Sequence, residues 1–172
     1  MALVIGLSSF VLRHLNNSVL VFYGVDLRRL AVYNPWREEN MPITQIPIAT
    51  KTRASLEDIT PQVAQAVRES GVRSGLCYVY APHTTAGLTI NENADPSVRR
   101  DILATLERLV PRHGDYQHLE GNADAHVKSS LLGHSLTILV EDGELLLGTW
   151  QGIFFAEFDG PRQRRVLVKV SP

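Results

Sequence analysis

Apolar and β-branched positions alternate along Ile43 to Thr50 (ITQIPIAT) and predict a strand. Pro47 cannot donate to a ladder, so an edge position is expected for that strand. The period then changes. Thr60 as cap, Pro61 at the first helical position and Gly71 at the exit bracket a helix with Val63, Ala66 and Val67 as its buried stripe, and Ser55 to Ile59 is expected to add a turn in front. Gly75 to Tyr80 (GLCYVY) and Gly87 to Asn91 (GLTIN) read as partner strands joined by Ala81 to Ala86. Asp95 and Pro96 open a second helix that carries Val98, Ile102, Leu106 and Leu109 at three- and four-residue spacing, and Pro111 stops it. After a polar loop from Arg112 to Asn122, Asp124 to Leu132 reads as a short helix ended by Gly133. Ser135 to Val140 pairs with Glu144 to Leu147 through Asp142-Gly143, a strong hairpin signal. Trp150 to Phe158 and Arg164 to Val170 are expected to form a second hairpin around Asp159-Gly160-Pro161. Two main helices amid some seven strands, mostly hairpin-linked, predict an α+β domain built on an antiparallel sheet.

Residues 1–40 depart from this pattern. Their opening apolar stretch lacks a positive leader, Arg13 and His14 interrupt it, and the pieces on either side are too short to span a bilayer. MPITQIPIATK, from Met41, reads as a conventional domain start. Residues 1–40 are therefore expected to be an N-terminal extension, disordered or an over-extended start, and 41–172 the folded domain.

Composition narrows the function classes. The chain has 172 residues, 44% of them hydrophobic, which suits one well-buried domain. Charged residues make up 20% and the net charge is −1, so no broad basic field points to nucleic acid, and no segment points to a membrane. The single cysteine, Cys77, excludes an internal disulfide framework and a cysteine-based zinc cluster, and in its apolar run it reads as a buried inert thiol. With no convincing export signal before Met41, the expected compartment is the cytoplasm.

Five of the six histidines fall between His83 and His134. Imidazole is both a metal ligand and a proton shuttle near neutral pH, but the spacings match no common zinc motif. His83-Thr84-Thr85 sits at a strand-to-loop exit, where polar side chains line sites as well as cap backbone. Asn91 and Glu92 leave the neighbouring strand and are expected to face the same space; Glu92 reads equally as a ligand or base and as a solvated carboxylate. His118 and Glu120 precede Asp124 and His126. A helix starting there offers free N–H groups and a positive end to an anion, with Lys128 close by; plain capping by Asp124 is the alternative. His113 and His134 read as surface residues. Trp150 is expected to pack a core edge, and Gln151 is a polar amide in an apolar strand. Arg162, Arg164 and Arg165 form the one basic cluster, read either as a solvated face or as a phosphate contact.

Three segments together carry a family resemblance: CYVYAPHTTAGLTINENADPSVRRDIL (Cys77 to Leu103), YQHLEGNADAHVKSSLLG (Tyr116 to Gly133) and LLLGTWQGIFFAEFDGPRQRRV (Leu145 to Val166). In them the chain resembles the YjbQ family, sometimes labelled secondary thiamine-phosphate synthase enzymes, in one register from about Ile43 to Val170. The resemblance implies an antiparallel sheet bent into a sandwich-like or barrel-like body with two helices, assembled as a homotrimer. It also implies a weak ability to join a pyrimidine diphosphate to a thiazole phosphate, and a metal associated with the histidines. On that basis His83, His118 and His126 are the expected ligands of one divalent cation (Zn²⁺, or Mn²⁺ or Mg²⁺), with Glu120 or Asp124 as a fourth. His83, Glu92 and Lys128 are the expected catalytic groups. Thr84, Thr85, Asn91, Gln151 and Arg162 are expected to bind a small phosphorylated substrate. A metal-dependent hydrolase of a small phosphate ester and a non-catalytic ligand- or metal-binding protein are the competing readings.

Overall fold

The computed structural model describes residues 42–172 and, upstream, only an antiparallel pair of two-residue strands, β1 (His14–Leu15) and β2 (Ser18–Val19). The other residues before Pro42 lie outside the described residues, and with them the reading of 1–40 as an extension or over-extended start.

From Pro42 onward eight strands and three helices form two antiparallel sheets. The five-stranded sheet has the order β3 (Thr44–Ala49), β10 (Gln163–Ser171), β5 (Gly75–Tyr80), β7 (Ser135–Glu141), β8 (Glu144–Leu145). The three-stranded sheet has β9 (Gln151–Glu157) between β4 (Ser55–Asp58) and β6 (Ala86–Glu92). The α+β class and the antiparallel, sandwich-like body are as expected, and Pro47 does sit on an edge strand. Asp142 and Gly143 both take positive φ in the β7–β8 turn, 53° and 82°, as a tight hairpin requires.

Two expected pairings fail. β9 and β10 do not form a hairpin: β9 pairs with β4 and β6, whereas β10 pairs with β3 and β5. β5 and β6 likewise lie in different sheets. The Asp159-Gly160-Pro161 and Ala81 to Thr85 segments are therefore corners that carry the chain from one sheet to the other.

Burial follows from this layering. Along β9, Ile153 and Phe155 face the core shared with the five-stranded sheet and α1 (Thr60–Ser70). Phe154, Ala156 and, just past the strand, Phe158 face a second core formed with Leu56, Ala125 and side chains of α2 (Pro96–Leu109) and α3 (Ala123–Leu132). The strand reads as an unbroken apolar run because both faces are covered. Phe154 and Phe155 are fully buried, and each contributes roughly 2–3 kcal/mol of burial free energy.

The helices depart from expectation at their edges. Ser55–Asp58 is the strand β4 rather than a turn. Thr60 is the first residue of α1 rather than its cap; Asp58 accepts its N–H at 2.9 Å and its hydroxyl at 2.6 Å, which does the capping from two residues upstream. Asp95 caps α2 as expected, accepting from the Ser97 N–H at 2.7 Å. On α2 the packed residues are Ile102, Leu103 and Leu106, while Leu109 is 70% exposed, because the helix only half-covers the second core. α3 lies close against β6: the Leu88 N–H donates to Gly133 O at 3.0 Å, and a Cβ on Gly87 would stand 2.8 Å from that same oxygen. That glycine lets the C-terminal half of α3 approach the sheet.

Candidate functional site

α3 begins at Ala123 beside a line of alternating charges. Lys128 is buried and donates to Glu107 Oε2 at 2.5 Å and to Asp124 Oδ2 at 2.9 Å. The other oxygen of Asp124, itself 1% exposed, accepts from Arg53 at 2.8 Å. Arg53 reaches on to Asp159 Oδ1 at 3.1 Å, and Asp159 Oδ2 accepts from Arg162 at 2.7 Å and from the Asn122 side-chain amide at 3.0 Å. The order is Glu107, Lys128, Asp124, Arg53, Asp159, Arg162. A parallel group anchors β10: fully buried Glu157 accepts two hydrogen bonds from Arg164 at 2.7 Å each, and Arg164 also donates to the Thr85 hydroxyl at 2.8 Å. Buried charge is tolerable here because each carboxylate oxygen meets a donor.

Against the start of α3 lies a cleft of about 560 Å³ lined by Arg112, His113, Gly114, Tyr116, His118, Glu120, Gly121 and Ala123. Its floor segment, between α2 and α3, folds on itself: the Tyr116 hydroxyl donates to Pro111 O at 2.8 Å. His118 and His126 meet edge to face with ring centroids 5.2 Å apart, and His118 Nε2 is 3.7 Å from Glu120. Arg112 has no carboxylate partner among the described residues, although its backbone N–H donates to Glu107 Oε1 at 2.9 Å.

The sequence-predicted residues divide into two groups. His83, Thr84, Thr85, His118, His126, Lys128 and Arg162 belong to the end of the molecule where β6 begins and α3 starts. Asn91, Glu92 and Gln151 do not. Ala86 is opposite Glu157 and Glu92 is opposite Gln151; six residues of strand separate the two ends by roughly 20 Å. Asn91 accepts from the Glu92 N–H, Gln151 Oε1 accepts from the Gly148 N–H, and neither faces the cleft. The expectation that they share the histidine site fails because β6 runs away from it. Trp150 is 65% exposed rather than packed in a core edge.

Lys128 is held by two carboxylates and Thr85 by Arg164, so both act in the framework. Asp124, expected as a cap or ligand, is committed to Arg53 and Lys128. Thr84 is exposed, and its carbonyl accepts from Ser129 at 2.6 Å, which joins the β5–β6 corner to α3. Arg162 remains half exposed. His83 Nε2 lies 3.1 Å from the Arg165 backbone N and 3.0 Å from its O, and the ring stands edge to face on Phe155. His113, read as a surface residue, lines the cleft. Arg53, Glu157 and Asp159 were not singled out from the sequence; the detectable signal was an acid inside the apolar run FFAEF.

Burial pushes the His83 pKa below its ordinary value, and the charges of Arg164 and Arg165 add to this against an opposing hydrogen bond to Arg165. Burial raises the Asp159 carboxyl, but the hydrogen bonds from Asn122 and Arg162 and the charges of Arg162 and Arg53 outweigh it and hold the pKa below the usual range. The hydrogen bond from Lys128 lowers Glu107. Burial pushes Cys77 up to about 11, which makes it the inert thiol expected.

The donors do not complete a metal centre within one chain. Among the described residues no three His, Cys, Asp or Glu side chains are grouped to hold one ion. His118 lies near His126 and near Glu120 without forming such a group, and His83 is occupied with the Arg165 backbone.

The fold and cleft together define a small α+β protein with an imidazole-lined pocket at the start of a short helix. The family description "UPF0047 protein YjbQ-like" matches residues 44–172. A UPF0047 protein of Methanocaldococcus jannaschii is 59% identical over 123 residues, covering 72% of this chain and 89% of that protein. YugU of Bacillus subtilis, also a UPF0047 protein, is 49% identical over 73% of this chain and 96% of its own length. A crystal structure of a YjbQ/UPF0047 family protein from Clostridium acetobutylicum, 55% identical, superposes with a TM-score of 0.74 over 74% of this chain and 99% of that one. The chain belongs to the UPF0047 (YjbQ-like) family. No helix among the described residues is long and apolar enough to cross a membrane.

The depressed Asp159 and Glu107 carboxyls set a pH dependence. A carboxyl with a lowered folded pKa stabilises the fold above its unfolded value, about 3.9 for Asp and 4.3 for Glu, and loses that contribution as pH falls through the folded value. Denaturant midpoints are expected to hold between about pH 7 and pH 5 as far as these two groups are concerned, and to drop below about pH 4. Asp159→Asn is expected to cost about 1–3 kcal/mol at pH 7, discounted for the partial exposure of Arg53 and Arg162, and to flatten the acid limb. An unchanged acid limb in Asp159→Asn contradicts the assignment.

Proposed function

We propose that the protein binds a small phosphorylated molecule in the cleft at the start of α3, and acts on it as a weak transferase of the thiamine-phosphate synthase type. The observation that carries this reading is the cleft of about 560 Å³, a size suited to a small ligand, lined by Arg112, His113 and His118 with His126 beside it. Among the lining residues Arg112 supplies the cation, and it has no carboxylate partner among the described residues. The transfer half leans on the resemblance named above. In that reaction the thiazole nitrogen attacks the methylene carbon of the pyrimidine diphosphate. A C–N bond forms as the C–O bond breaks, and pyrophosphate departs with the electron pair. Its growing charge is met by Arg112 and by donated imidazole N–H groups. Lys128, first expected in this role, is already held by Glu107 and Asp124.

Binding without turnover is the second reading, and one observation favours it: Arg53, Lys128, Arg162 and Arg164 each have a carboxylate partner, which leaves little free charge for a diphosphate. Calorimetric titration of the full chain with inorganic phosphate and the pyrimidine diphosphate, beside a pyrophosphate-release assay, separates the two. Release that requires both substrates and falls at least about tenfold in Arg112→Ala supports transfer. Saturable binding without release supports the second reading. Binding unaffected by Arg112→Ala and His118→Ala contradicts both.

The working unit is proposed to be a homotrimer in the cytoplasm, with neither nucleic acid nor membrane as partner. Its support is the outer face of the five-stranded sheet, where Tyr78, Tyr80 and Leu139 stay exposed. Sedimentation equilibrium is expected to give three times the 19.1 kDa chain mass; a monomer mass contradicts it.

A further inference from the structure

Around the start of α3, Arg53, Lys128, Arg162 and Arg164 are each bound to a carboxylate, so the ion chain has a task other than holding ligand. Its geometry shows which one. The segment that floors the cleft, residues 111–122, contains no helix or strand. At its entry the Arg112 N–H donates to Glu107 Oε1, while the other oxygen of Glu107 takes Lys128. At its exit the Asn122 amide nitrogen donates to Asp159 Oδ2, and the buried Asn122 Oδ1 has no protein partner. A carboxylate only accepts, so the amide orientation is fixed and Asn122 hangs by its side chain from Asp159 alone.

Arg53 reinforces the exit. It comes from the β3–β4 connection, outside α2, α3 and the cleft segment. One guanidinium nitrogen binds Asp124 in the first turn of α3, and another binds Asp159 at the corner between the sheets. The first turn of α3 thus has two attachments to that corner, through Asn122 and through Arg53. Two attachments restrain lifting and rotation of the turn, and His126, two residues after Asp124, stands edge to face with His118. We propose that Arg53 is a positioning residue for the cleft: by forking across Asp124 and Asp159 it fixes the start of α3 and so the spacing of the His118–His126 pair. The consequence for ligand binding rests on the cleft being the ligand site; the consequence for the imidazoles does not.

Lysine keeps the charge but cannot present two fixed N–H directions to two carboxylates. Arg53→Lys therefore separates electrostatics from geometry. The experiment records imidazole ¹⁵N–¹H correlations of the full chain and its affinity for inorganic phosphate, in wild type, Arg53→Lys and the surface control Arg73→Lys. It is run at a temperature where circular dichroism shows each protein folded. In Arg53→Lys the His118 and His126 resonances are expected to move while those of His134 stay, and phosphate affinity to fall about tenfold, as loss of an outer supporting contact commonly does. Arg73→Lys is expected to change neither. If Arg53→Lys does not fold, Asp159→Asn, which removes one of the two carboxylates of the fork, is read in the same way. A folded variant with wild-type His118 and His126 resonances overturns the proposal. If wild type shows no phosphate binding, the ligand reading fails by itself, and the imidazole resonances still decide the role of Arg53.

Discussion

The structure turns on Arg53 standing between two buried carboxylates. Asp124 and Asp159 come from a helix and from a corner between sheets, and neither would be tolerated out of water without a cation of matching geometry. With the guanidinium in place, the alternating charges run from Glu107 at one surface to Arg162 at another, and only the ends are well solvated. Such a chain adds little net stability compared with apolar packing, but it is demanding about position, because breaking one link strands a buried charge. Here it lies at the edge of the second core, where Phe154, Ala156 and Phe158 meet α2 and α3. Apolar burial brings the helices to the sheet, and the ion chain fixes where α3 begins.

That division of labour explains what the cleft can do. Its chemistry-bearing groups, His118, His126 and Arg112, lie on or beside a segment with no regular structure, which would hold them loosely if left alone. The segment is fastened at Arg112 to Glu107 and at Asn122 to Asp159. Residues that look catalytic by type, Lys128 foremost, are consumed in the fastening. His83, which holds the Arg165 backbone, stands against Phe155 and so against the other core.

Much of the fold was legible in the sequence because local signals decide it. Pro61 and Gly71 bracket α1, Asp95-Pro96 opens α2, and Asp142-Gly143 closes a hairpin; each acts through its own backbone preferences. Sheet membership was not legible. Asp159-Gly160-Pro161 looks the same whether the next strand folds back on its neighbour or crosses to another sheet, and β9 shows only by its two buried faces that it is a central strand. The site was half legible. Clustering along the chain brought out His118 and His126, whose rings do meet edge to face. Strand direction took Glu92 and Gln151 to the far end of β6 and β9, and nothing local announces a direction. Arg53 looked like an ordinary loop cation, since its partners lie 71 and 106 positions away.

The claim that the ion chain acts as one unit is tested most directly by a double-mutant cycle between Glu107 and Asp159, which do not touch and whose ion pairs run through Lys128, Asp124 and Arg53. Stabilities of Glu107→Gln, Asp159→Asn and the double variant are measured by urea unfolding at neutral pH. A coupling of at least about 0.5 kcal/mol is predicted, above the level at which separate sites add. Additivity within that margin would mean that the links are independent surface and interior pairs, and that nothing passes along them to the start of α3.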